Sequence, residues 1–278
     1  MNPHCFIPDW PAPLHVKALQ TTRLGGVSLA PYDSFNLGSH VHDDPQAVAQ
    51  NRSLLDLPSE PAWLTQVHGI QVAVNGHGNL AAPDREIRHA RFPLPTPPPQ
   101  EGEGEYEALR EFHSNASGPQ EADACIARQA AAVCAVLTAD CLPVLLCDVA
   151  GSVVGAAHAG WKGLAGGVLE STVLAMHVAP QNLIAWLGPA ISQEFFEVGS
   201  EVRAAFLAVQ PEAASAFIPG KPGKWMADIY ALARQRLKAL GVTQIYGGSH
   251  CTYREHQTFF SYRRDGVTGR MATLIWLE

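Results

Sequence analysis

Three apolar runs follow one another with only short breaks: "AVCAVLT" (132–138), "PVLLCDV" (143–149) and "SVVGAAHA" (152–159). Successive side chains of a strand point to opposite faces, so a strand with one wet face alternates apolar and polar residues. These runs barely alternate, and they read as strands covered on both faces. Further runs of strand length are "HVKALQTTR" (15–23), "LIAWLG" (183–188), "QIYGG" (244–248), "TFFSYRR" (258–264) and "MATLIWL" (271–277).

Helical patterns lie between the strands. Asp44-Pro45 opens one, with Asp suited to the cap and Pro to the first turn, and Pro58 bounds it. A second is expected from about Leu164 to Val178, with Leu164, Val168, Thr172 and Met176 at four-residue steps. A third carries Val198, Val202, Phe206 and Val209. The last carries Ile229, Ala233, Leu237 and Leu240, and Gly241 supplies its left-handed stop. Helices scattered among many strands predict a single α+β domain over 1–278, a mixed β-sheet flanked by helices.

One stretch breaks this texture. Residues 84–119 hold Pro at 93, 95, 97, 98 and 99, then Glu at alternate positions from 101 to 107. Polyproline stiffness followed by acidic residues predicts an exposed inserted loop. It reads either as a tolerated insertion or as a cover for a nearby site.

Charge and composition remove whole function classes. The formal net charge of −7, with no long Lys/Arg block, argues against a nucleic-acid partner. No apolar run approaches the roughly 18 residues needed to span a bilayer, so no membrane partner is expected. The N-terminus lacks the basic and apolar regions of a secretion signal, and a cytoplasmic location is the expectation. The six Cys form no CxxC pair and read as free thiols of a reducing compartment.

Three segments share one signature, a reactive side chain beside Gly, Pro or Ala at the end of an apolar strand. They are Gln66-Val67-His68-Gly69, Asp140-Cys141-Leu142-Pro143 and Ala157-His158-Ala159-Gly160. Strand ends are where a rigid scaffold presents residues to a ligand. Two imidazoles and a thiolate, His68, Cys141 and His158, suit zinc and leave one position open, as catalytic zinc sites do. The same donors suit copper, so ligand type does not choose the metal. Singly, each residue also has a structural reading: a packed thiol, or a hydrogen-bonded imidazole. Asp140 beside Cys141 is a candidate proton carrier. The glycine turn "TRLGGVS" (22–28) lacks the Lys and the spacing of a P-loop. His40, His42 and His77 read as loop histidines.

The segments "TRLGGVSLAPYDSFNLGSHVHDDPQAVAQNR", "WLTQVHG", "ADACIARQAAAVCAVLTADCLPVLLCD", "GAAHAGWKGLAGGVLESTV", "LGPAISQEFFEVGSEV" and "FFSYRRDGVTGRMATLIWL" resemble the YfiH-like, laccase-domain family from about Lys17 to the C-terminus. That family has been called multicopper polyphenol oxidase, purine nucleoside phosphorylase and peptidoglycan editing factor. The resemblance implies a zinc centre on His68, Cys141 and His158. It also implies a small-molecule reaction: phosphorolysis of adenosine, inosine, guanosine and methylthioadenosine, with adenosine deamination. Asn36, Arg52 and Arg263 are the candidates for holding phosphate or ribose. The alternatives are an amidase that edits UDP-muramoyl-L-serine precursors with Cys141 as nucleophile, a copper-dependent polyphenol oxidase, and a non-enzymatic metal-binding module.

Overall fold

A computed structural model describes residues 4–75 and 120–278. The inserted loop at 84–119 and His77 lie outside the described residues.

The central layer is a six-stranded sheet in the order β12-β8-β6-β7-β4-β3. Its strands are β3 (Val72–Asn75), β4 (Ala124–Ala127), β6 (Leu142–Asp148), β7 (Val154–Ala159), β8 (Leu183–Leu187) and β12 (Gln244–Gly247). The two outermost pairs, β12 with β8 and β3 with β4, are parallel, and the inner pairs are antiparallel, so the sheet is mixed. A second, antiparallel sheet has the order β1-β2-β13-β5: β1 (Cys5–Phe6), β2 (Val16–Thr21), β13 (Met271–Leu277) and β5 (Cys134–Thr138). A third, small sheet joins β9 (Glu197–Gly199), β10 (Phe217–Pro219) and β11 (Lys224–Ala227).

The near-continuous apolar runs now have their cause. Along β6, Leu142, Val144 and Leu146 join the core beneath the helices, while Leu145 and Cys147 join the core shared with the second sheet. The four inner strands of the central sheet are therefore dry on both faces, with helices on one side and a sheet on the other. The second sheet's outer face is covered as well, by Phe35 and Leu37 against Ala135, Leu274 and Trp276. Burying one such large apolar side chain contributes about 1.5–3 kcal/mol. Most of the predicted strands hold, and the fold is α+β.

Two helices start where the sequence predicts, and one of them also stops there. α1 (Pro45–Ser53) is capped by Asp44, whose side chain accepts from Gln46 N at 2.9 Å; such caps contribute about 1 kcal/mol. It ends at Ser53, short of Leu54-Leu55 and Pro58. α5 (Ile229–Leu240) ends at Gly241, with φ 97°. Three expectations need correction. The helix expected over 164–178 is two, α2 (Trp161–Gly166) and α3 (Val168–Ala175), broken at Gly167 with φ 105°. Val198 belongs to β9, and α4 begins beyond it (Ser200–Val209). The run 258–264 is no strand: neighbours Phe259 and Phe260 both enter one core cluster, which alternating strand geometry forbids. Ser261 then caps the short α6 (Tyr262–Asp265) by accepting from Arg264 N. Among the described residues, no helix is long and apolar enough to cross a membrane.

Candidate metal centre

β6 and β7 form an antiparallel hairpin in which Leu142 pairs with Ala159 and Pro143 with His158. Cys141, immediately before β6, and His158, near the end of β7, therefore meet at one end of the sheet. The 17-residue spacing between them is a hairpin spacing, which is why no local motif predicts it. Pro143 fits this position because β6 has only just begun there, and its missing N–H costs the ladder little. β4 pairs with β7 so that Ala124 lies opposite Ala157, which brings Asp123 to the same end. β3 runs parallel to β4, and the loop that leads into it delivers His68.

The ligand atoms of His68, Cys141 and His158 all lie within 4.8 Å of one another. Cys141 Sγ is 3.8 Å from His68 Nε2, and the two imidazoles meet edge to face with centroids 4.8 Å apart. This is the one such group of three or more ligating side chains among the described residues. Ligands on a tetrahedral zinc stand about 3.5 Å apart, given bond lengths of ~2.0–2.3 Å. The donors are thus gathered at nearly the required spacing, and two imidazoles with one thiolate fit the metal chemically.

Asp123 organises the cluster, and sequence reasoning missed it. Its fully buried carboxylate accepts from the backbone N–H groups of Val67, His68 and Gly69 at 3.2, 2.9 and 2.6 Å, and pairs with His158 Nδ1 at 2.8 Å. One carboxylate thus folds the turn that carries His68, held at φ 60°, and fixes the ring of His158. Burial works to raise the Asp123 pKa, but the His158 hydrogen bond and the amides of Gly69 and Val67 outweigh it and hold the carboxyl below its ordinary value. The available signal was the Asp at the mouth of the apolar "ACIA" strand.

Cys141 and His158 titrate as a pair. Burial pushes the Cys141 thiol up, yet the adjacent His158 and His68 bring it down to about 6. Burial pushes His158 down, and the Cys141 charge and Asp123 bring it up to about 9. The site therefore favours a thiolate at neutral pH, the form that binds metal or attacks as a nucleophile. Gly160 must lack a side chain: a Cβ there would lie 2.8 Å from His68 Cδ2 and 3.0 Å from Cys141 Sγ.

The cluster opens into a cavity of about 270 Å³. Phe196, Ile191 and Ile229 make its walls apolar, and Trp161, Tyr262, Lys162 and Arg263 also line it. Arg263 reaches it with Nη1 bound to Glu197 O at 2.9 Å, and its Nε and Nη2 have no hydrogen-bond partner among the described residues. Asp140, at φ 94°, also lines the cavity, but both oxygens are engaged at 2.6 Å, by Thr252 Oγ1 and by Arg263 N. Its carboxylate holds the α6 segment rather than standing free as a proton carrier.

Asn36 and Arg52 do not line the cavity. Asn36 is fully buried and clamps Gly38, Arg270 and Asp43. Arg52 donates twice to Leu37 O and stacks 4.0 Å over Trp63. A larger cavity of about 520 Å³, beside the N-terminal segment and β2, contains none of the candidate residues.

The fold and the cluster together define an α+β protein with a candidate metal centre at the end of a doubly covered sheet. Residues 17–278 match the family model for multi-copper polyphenol oxidoreductase laccase, and the chain belongs to that family. It is 48% identical to the Escherichia coli protein named purine nucleoside phosphorylase YfiH, over 98% of both chains. It is also 48% identical to the Pseudomonas aeruginosa purine nucleoside phosphorylase PA4543, over 98% of this chain and 97% of that one. Among solved structures, Neisseria meningitidis NMB0706 superposes with a TM-score of 0.82 at 48% identity, covering 99% of each chain. YlmD from Geobacillus stearothermophilus gives 0.77 at 27% identity, covering all of this chain and 94% of that one.

Proposed function

We propose that this chain is a zinc-dependent purine nucleoside phosphorylase that also deaminates adenosine. The observation that carries the reading is that His68 and Cys141, grouped with the buried His158, line a cavity with apolar walls and cationic side chains. Such a cavity suits a flat apolar base joined to a polar sugar and an anion. The names of the relatives support the same reaction class. Adenosine, inosine, guanosine and methylthioadenosine are the substrates we assign, and the cytoplasm the compartment.

Bound zinc would supply a Lewis acid with one open position at His68, Cys141 and His158. Asp123 accepts the Nδ1 proton of His158 and so leaves Nε2 as the ligand atom. Phe196, Ile191 and Ile229 exclude water around the base, and Tyr262 and Trp161 offer it aromatic contact. Arg263, whose backbone N–H is held by Asp140 and whose Nη1 is held by Glu197 O, offers its uncommitted guanidinium N–H groups to phosphate or ribose. Lys162, which sequence reasoning passed over, adds a second cation at this cavity. The test is zinc-loaded protein with adenosine or inosine, with and without phosphate. Phosphate-dependent release of the base is expected; no base release and no inosine from adenosine would overturn the proposal.

A second reading has its own observation. Asp123, His158 and Cys141 stand in series, as orienting acid, base and thiol do in cysteine hydrolases. On that reading the chain is an amidase editing UDP-muramoyl-L-serine precursors, and Cys141 remains open to iodoacetamide after zinc loading. Full protection by zinc counts against it. Copper-dependent polyphenol oxidation is the weaker alternative, because the one group of three donors among the described residues does not provide for a multicopper cluster.

A further inference from the structure

A second group of basic side chains lies beside the metal cluster, on elements that the proposed mechanism leaves unused. The turn at 36–40 is gripped from two sides. Asn36 Oδ1 accepts from Gly38 N at 2.9 Å and from Arg270 N at 2.8 Å, locking the turn against the start of β13. Gly38 leaves room for the stem of Arg270: a Cβ there would lie 2.8 Å from Arg270 Cγ. From the other side, Arg52 Nε and Nη2 both donate to Leu37 O, at 3.1 and 2.8 Å. His40 follows on the same turn.

The two guanidinium groups are only partly committed, and the His40 ring is uncommitted. Arg270 uses Nη1 on the carbonyls of Thr268 and Gly269, while its Nε and Nη2 have no hydrogen-bond partner among the described residues. The same holds for Arg52 Nη1 and for both ring nitrogens of His40. The group adjoins the candidate metal centre. The Arg270 guanidinium lies 5.8 Å from the ring centroid of Tyr262, which lines the cavity, and it is within electrostatic reach of Cys141. The carboxylate near Arg270 is Asp140, whose two oxygens are already bound, and the one near Arg52 is Glu60, which accepts from Trp63 Nε1. Partial burial, then Arg270, Arg52 and His158, all work to discharge His40. Three partly unsatisfied donors gather around one turn, and the carboxylates beside them, Asp140 and Glu60, already accept hydrogen bonds from other groups, which makes the turn a receptor for an anion.

We propose that His40, Arg52 and Arg270 form a binding site for a tetrahedral oxyanion of the phosphate class, beside the metal cluster. Its use as the site of the attacking phosphate rests on the phosphorylase reading above. There, a phosphate oxygen bonds to ribose C1′ as the bond from C1′ to the purine nitrogen breaks. The bond pair leaves with the purine, which takes up the proton that phosphate gives up, and ribose 1-phosphate remains. Guanidinium groups hold the anion's other oxygens during this exchange.

The test titrates inorganic phosphate by calorimetry into zinc-loaded wild type, Arg270→Gln, Arg270→Lys and His40→Asn, and measures KM for phosphate and for inosine separately. Loss of one charge-assisted hydrogen bond corresponds to about tenfold in affinity. Arg270→Gln is therefore expected to raise the phosphate Kd and KM by about tenfold or more, with Arg270→Lys falling between it and wild type. The KM for inosine stays within about threefold, since the base occupies the cavity. His40→Asn, at an exposed position, serves as the second variant if Arg270→Gln misfolds, and weakens phosphate in the same direction. Unchanged phosphate affinity in the folded variants overturns the site, even if nucleosides are cleaved. Phosphate binding that Arg270→Gln weakens, without any nucleoside turnover, keeps the site and overturns the phosphorylase reading instead.

Discussion

The two histidines of the metal cluster are held in opposite ways. His158 sits within a central strand, is almost fully buried, and takes its position from backbone pairing on both sides. His68 is exposed, lies on a loop, and has a left-handed backbone that no ladder supports. What equalises them is Asp123, which reaches the ring of one and the backbone amides of the other. A loop residue can thus gain the precision of a strand residue if a buried carboxylate ties its turn to the sheet.

The largest test of this contrast removes the tie. Asp123→Ala leaves three loop amides and one imidazole without their acceptor, and should cost about 3–5 kcal/mol of stability in denaturant melts. Asp123→Asn keeps the shape but offers His158 a poorer acceptor, and should weaken metal binding by about 10–100-fold in competition with a chelator. If the loop histidine were positioned independently, an Asp123→Asn protein would hold metal as wild type does.

Gly160→Ala acts from the other direction. The backbone at 160 has φ −61°, so alanine fits the chain, but its methyl group meets the His68 ring and the Cys141 sulfur. Metal affinity should fall by about tenfold while thermal stability changes by about 1 kcal/mol or less. A loss of stability without a loss of affinity would mean that the site yields and the scaffold does not.

The smallest effect is electrostatic and sharpens the comparison by pH. In metal-free protein, His158 and His68 hold the Cys141 thiol down at about 6. Lowering a thiol's pKa favours the thiolate above that value, so alkylation should rise between about pH 5 and 7 and then level off. In Asp123→Asn the imidazolium is less favoured, and the midpoint should move upward. A midpoint near the ordinary thiol value in wild type would remove His158 as the dominant partner.

Much of this architecture was legible in the residues. The apolar runs disclosed strands dry on both faces, although they did not show that a second sheet supplies one of the covers. Gly241 and Asp44 marked helix ends through local chemistry, which sequence carries directly. Gly167 did not, because a four-residue apolar step continues in register across the break between α2 and α3. The trio His68, Cys141 and His158 stood out by setting, but Asp123, Arg270 and His40 did not. Their roles come from strand register and from the packing of Arg270 on Gly38, and both are long-range facts. Arg52 and Asn36 were chosen for chemistry alone, and the structure commits Asn36 to holding the turn at 36–40.

The most direct measurement pairs metal content with product analysis on protein purified without added metal. Wild type and Cys141→Ala are compared for zinc per chain and for adenine released from adenosine with phosphate. The account predicts close to one zinc per wild-type chain, with metal and phosphate-dependent adenine release lost together in the variant. A Cys141→Ala protein that keeps both its metal and its adenine release would contradict it.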